Sequence, residues 1–109
     1  MGLFSRTPST TADEVAQRLA GRSVVVLDVR QPAEWRRGHI AGSHNVPLAQ
    51  LQRALHTVPK GKPIVTVCAS GHRSAAAARL LEHAGYEVEN LKGGLHAWTR
   101  AGLPVSRKR

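Results

Sequence analysis

The chain has 109 residues, room for one domain with one core and too little for two. Hydrophobic residues at 41% fit a globular protein, and no stretch approaches the ~18 consecutive apolar residues of a membrane span. Sixteen Lys and Arg against seven Asp and Glu give a formal charge of +9, which favours anionic partners; no basic helix interleaved with aromatics and no DNA or RNA recognition motif accompanies it, so specific nucleic-acid binding is not expected.

Residues 1–10, rich in Ser, Thr, Pro and Arg, read as an irregular lead-in. Met1 to Arg6 lacks the apolar run of a secretory signal, and Arg6 stands where a myristoylation pattern wants Ser or Thr, so the expected compartment is the cytosol. Thr11-Ala12-Asp13-Glu14 spells a capping box, opening a helix with Val15 and Leu19 on its apolar stripe and Gly21 at its end. Ser23 to Val29, SVVVLDV, is the nearly continuous β-branched run of a strand buried on both faces of a parallel sheet. Pro32 to Trp35 begins a short helical turn closed by Gly38. An extended piece from Ser43 to Pro47 then leads into a helix over about Leu48 to Leu55.

After the turn Lys60-Gly61-Lys62-Pro63 comes a second buried strand, Ile64 to Val67. A helix is predicted over Ser74 to Ala84, with Gly85 closing it, and a short strand over Tyr86 to Leu91. Gly93-Gly94 introduces the last helix, which runs through Trp98 and stops at Gly102 and Pro104. Alternating strands and helices imply an α/β domain over residues 11–105 with a mostly parallel sheet of about five strands. Residues 106–109 form a basic tail, expected to be frayed and solvated.

A single cysteine excludes an internal disulfide and a multi-thiolate metal site built by one chain. Taken alone, such a residue is most often a small buried hydrophobe. Cys68, however, falls at the carboxyl end of a buried strand, where parallel sheets hold their ligands. The small residues Ala69, Ser70 and Gly71 let the following loop curl with its amides inward, and the next helix adds unpaired N–H groups and the positive end of its dipole. These surroundings favour a thiolate, and the permanent charge of Arg73 adds a fork for an oxyanion.

Cys68-Ala69-Ser70-Gly71-His72-Arg73-Ser74 resembles the rhodanese active-site loop, C-x-x-G-x-R-S. Leu27-Asp28-Val29-Arg30, with Glu34-Trp35 and Gly38 to Pro47, looks like that family's amino-terminal signature, and Gly93 to Trp98 like its carboxyl-terminal one. The three occur in the family's order across roughly residues 10–105. The resemblance implies a three-layer α/β/α fold and a sulfurtransferase. In that reaction Cys68 takes sulfane sulfur from thiosulfate or another persulfide donor, holds it as a persulfide, and gives it to cyanide or a thiol. Ala69, Ser70, Gly71, His72, Arg73 and Ser74 would bind the donor, with Arg73 steering its sulfonate end, and no metal or organic cofactor is called for. Phosphatases sharing the fold carry a C-x5-R loop; the shorter spacing here suits a smaller sulfur centre.

Other residues invite quieter readings. Asp28 needs partners where it lies, and the resemblance has it bonding the active-loop backbone or its neighbours in support of the site, while Arg30, Glu34 and His39 are expected to form a polar cluster fixing the crossover after the first buried strand. Trp35 and Trp98 read as core aromatics, Trp35 with the option of flanking the cleft. The six histidines show no HxxxH or similar ligand spacing, and His72 is a possible contact rather than a base. The competing function is a sulfur-relay or sensor module that passes the persulfide to a protein partner, an acidic one by charge, with little turnover on small molecules.

Overall fold

The computed structural model describes residues 7–108; the reading of Met1 to Arg6 as free of targeting signals lies outside them. Five strands are described: β1 (Ser9–Thr10), β2 (Val25–Asp28), β3 (His44–Asn45), β4 (Ile64–Val67) and β5 (Val88–Leu91). They form one sheet in the order β1-β5-β4-β2-β3, and every pairing is parallel. The helices are α1 (Ala12–Ala20), α2 (Pro32–Arg37), α3 (Leu48–Leu51), α4 (His72–His83) and α5 (Gly94–Arg100), with a 3-10 turn at Leu55–Thr57.

The apolar runs are buried on both sides, as their composition predicts. Leu27, Ile64 and Val88 pack with Leu51, Ala77, Ala78 and Leu81 of α3 and α4. Val26, Val65, Val67 and Leu91 pack with Val15 of α1 and Trp98 of α5. A sheet between two apolar layers is the three-layer α/β/α arrangement expected from the sequence.

Four sequence expectations need correction. Within the lead-in, Ser9–Thr10 is not irregular but the edge strand β1, in parallel register with Asn90 and Leu91. The capping box at Thr11 is present, with Thr11 Oγ1 accepting from Glu14 N and Glu14 Oε1 accepting from Thr11 N. The helix expected over Leu48 to Leu55 splits, because the Ala54 carbonyl accepts both the amide and the hydroxyl of Thr57 at 2.9 and 2.7 Å, tightening that turn to 3-10 geometry. At the basic tail, Ser106 pairs with His39 through two backbone hydrogen bonds, and Arg107 Nε donates to the Arg37 carbonyl. The helix expected from Ser74 begins two residues earlier, at His72, for a reason that belongs to the site.

Candidate active site

Cys68 follows β4, the central strand, at its carboxyl end. Gly71, at φ +110°, caps α4 in a left-handed conformation that costs glycine little. The chain can therefore reverse from strand to helix within Ala69–Gly71, which pulls His72, Arg73 and Ser74 into the first helical turn. Ser74, not Arg73, then points back at the sulfur.

Cys68 is 1% exposed, and its Sγ accepts from the Gly71 amide at 3.0 Å and the Ser74 hydroxyl at 3.3 Å. Burial pushes the thiol up; the hydroxyl and amide of Ser74 and the amides of Gly71 and Ser70 more than offset it, so the thiol titrates below its ordinary value.

The amides can face inward because the loop carbonyls are held outward. Leu95 N and His96 N, at the start of α5, donate to the carbonyls of Cys68 and Ala69 at 2.8 and 3.1 Å. Asn90 Nδ2 of β5 donates to the Gly71 carbonyl at 3.2 Å, and the buried Thr66 Oγ1 of β4 donates to the Ser74 carbonyl at 3.0 Å. The close approach of α5 to the loop explains Gly94 in the Gly93-Gly94 signature. A Cβ at Gly94, whose φ is +59°, would run into the Cys68 carbonyl oxygen and stand 2.7 Å from the Ala69 carbonyl carbon. Sequence reasoning missed the anchoring roles of Thr66, Asn90 and the α5 amides. Thr66 did carry a signal, as the one polar residue inside the otherwise apolar strand β4, whereas Asn90 sits beside Glu89 in β5 and stands out less.

Arg73 does not present an empty fork. Its terminal nitrogens donate to Glu34 Oε1 and Oε2 at 2.7 and 3.0 Å, joining α4 to α2. That hydrogen-bonded pair holds the Glu34 carboxyl down at about 2, against its own partial burial. The side chains remain 38% and 31% exposed.

The expected cluster of Arg30, Glu34 and His39 divides into separate contacts. Asp28 does not reach the active loop; its carboxylate accepts from Arg30 N, Nε and Nη2, the closest at 2.7 Å. Arg30 also donates to the carbonyls of Glu34 and Gly38, so this buried pair sets the course of the chain around α2. His39 stacks on Trp35 with ring centroids 3.6 Å apart, and its Nδ1 donates to the Trp35 carbonyl. Trp35 is half-buried, its Nε1 donating to Ser43, whereas Trp98 lies in the core. His72 is exposed, its Nδ1 lying 3.2 Å from Ser70 Oγ.

Beside the loop, a groove of about 320 Å³ runs between α2 and α5, lined by Arg30, Glu34, Arg37, Ala69, Leu95 and His96 among others. A second cavity, between Lys60–Pro63 and Ala84–Glu87, lies at the amino ends of β4 and β5, away from the thiol. Among the described residues no group of three His, Cys, Asp or Glu is placed to hold a metal, and no helix is long and apolar enough to cross a membrane.

Comparison with known proteins gives concordant matches. A family profile described as "Rhodanese-like domain" matches residues 11–101. A protein of Allochromatium vinosum named "Sulfurtransferase" is 38% identical, covering 86% of this chain and 90% of its own. A chloroplastic thiosulfate sulfurtransferase of Arabidopsis thaliana is 34% identical, covering 93% of this chain and 95% of its own. Among solved structures, a rhodanese-related protein from Thermoplasma volcanium superposes with a TM-score of 0.87 at 33% identity, over 93% of this chain and 99% of the other.

Proposed function

The chain belongs to the rhodanese-like domain family, and on that premise we propose that Cys68 carries sulfane sulfur as a persulfide, taken from thiosulfate or another persulfide donor and given to a thiophilic acceptor, cyanide or a thiol. One observation carries the reading: the buried sulfur accepts hydrogen bonds from Gly71 N and Ser74 Oγ at the mouth of a parallel sheet. The thiolate attacks the outer sulfur of thiosulfate. A new S–S bond forms, the old one breaks, and sulfite leaves with the bonding pair. The acceptor then attacks the outer sulfur of the persulfide, and Cys68 returns as thiolate, so ping-pong kinetics are expected. The inward amides of the Ala69–Ser74 loop balance negative charge on the sulfur throughout. Asp28 and Arg30 hold the chain around α2, and neither hydrogen-bonds the Cys68 sulfur. A cytosolic location is part of the same proposal, since a reducing compartment would keep the single thiol free.

Intact mass before and after thiosulfate tests this directly, with Cys68→Ser as control. A gain of one sulfur atom that cyanide removes, absent in the variant, is the expected result. No gain from thiosulfate or from cysteine persulfide would sink the proposal.

A sulfur relay to a protein partner uses the same persulfide. It is favoured by the groove beside Ala69, where Arg37 offers positive charge to an acidic acceptor. Discharge by a small thiol as fast as by any protein acceptor would remove the need for it.

A further inference from the structure

Arg73 lies in the first turn of α4, one residue before the Ser74 that donates to the Cys68 sulfur, yet both of its terminal nitrogens are held by one carboxylate. That planar two-point grip is the one a guanidinium would otherwise use on a sulfonate. Glu34 is not a loose chain that drifts into place. Its Oε1 also accepts from Gln31 N at the head of α2 at 2.9 Å, and Arg30 holds the Glu34 and Gly38 carbonyls from below. A sulfonate and Glu34 therefore compete for the same two donors.

We infer that Glu34 is a specificity-determining residue: by occupying the Arg73 fork it weakens the site's hold on sulfonate-bearing donors relative to donors that lack a sulfonate. The catalytic consequence rests on the persulfide chemistry proposed above; the binding consequence does not. The two donor classes differ only in what leaves. Attack on thiosulfate expels sulfite, a dianion that wants the fork. Attack on the terminal sulfur of cysteine persulfide breaks the same kind of S–S bond and expels a cysteine thiolate, which carries no sulfonate. Because the pair is partly exposed, it acts as a competitor to be displaced and not as a lock.

The test starts from binding, so that it does not depend on turnover. Thiosulfate is titrated calorimetrically into Cys68→Ser, then into Cys68→Ser with Glu34→Gln, and then with Arg73→Ala added. Glutamine keeps an acceptor for Gln31 N, and equal melting temperatures confirm that α2 is retained. Glu34→Gln should tighten thiosulfate about fivefold, the scale of a partly exposed ion pair, and Arg73→Ala should cancel that gain. Unchanged affinity, or a gain that survives Arg73→Ala, overturns the inference. With Cys68 restored, Glu34→Gln should raise the ratio of thiosulfate to cysteine persulfide loading rates by the same factor; an unchanged ratio overturns it. Absence of loading in all proteins would refute the persulfide reading instead, with the calorimetry still deciding the role of Glu34.

Discussion

Replacing Ser74 by alanine removes the side-chain donor to Cys68 Sγ while leaving the loop amides in place. Ser74 is fully buried, so no water substitutes for the lost hydroxyl. A hydrogen bond to a charged acceptor contributes about 1.5–3 kcal/mol, and the 3.3 Å separation places this one at the weak end. About 1.5 kcal/mol corresponds to a roughly tenfold drop in the thiolate-to-thiol ratio at a given pH. The remaining thiolate is more basic and more nucleophilic, with a Brønsted slope of about 0.4–0.5. Two opposed effects follow across the pH range. While the thiol form dominates, the alkylation rate with iodoacetamide should fall about fourfold. Where both proteins are fully ionised, Ser74→Ala should react about threefold faster than the parent. Rate profiles that cross are thus the signature of a lost donor. Parallel or superimposable profiles would refute the claim that Ser74 stabilises the thiolate.

Cys68→Ser should abolish sulfur loading by mass spectrometry with the circular dichroism spectrum retained. Gly94→Ala should lower Tm by about 10–20 °C, from about 3 kcal/mol of left-handed backbone strain and collision with the loop carbonyls, and should slow loading as well. Asp28→Asn leaves the Arg30 guanidinium buried without its counter-charge, and chemical denaturation should register a loss of about 3–5 kcal/mol. Glu34 titrates at about 2 in the fold against an ordinary 4.5, so its contribution is complete above 4.5 and lost as pH falls towards 2. Melting curves of the parent should therefore decline more steeply over that interval than those of Glu34→Gln.

The arrangement around Cys68 was legible because it is local. A β-branched run, a cysteine at its end, small residues and then a helix place thiol, amides and dipole together within a few residues, whatever the rest of the chain does. The two-sided burial of β2 and β4 and the capping box at Thr11 follow from composition and spacing in the same way. Short-range grammar also misplaced some ends. The first turn of α4 was hidden because the left-handed geometry at Gly71 decides where the helix begins, and β1 is too short to announce itself without its neighbour β5.

Tertiary structure alone decided what the polar groups do. Arg73 and Glu34 are separated by 39 residues, and nothing in either segment says that the fork meant for an anion is filled by a carboxylate. Asp28 turns to Arg30 and not to the loop, since the guanidinium two residues on reaches back within hydrogen-bond distance. The outward carbonyls of Cys68 and Ala69 depend on α5 arriving with its first amides unpaired and with no Cβ at Gly94. Periodicity and motif fix which atoms a segment offers. Which of the competing donors and acceptors satisfy one another is set by the packing of sheet and helices, where distances of a few tenths of an ångström select the partner.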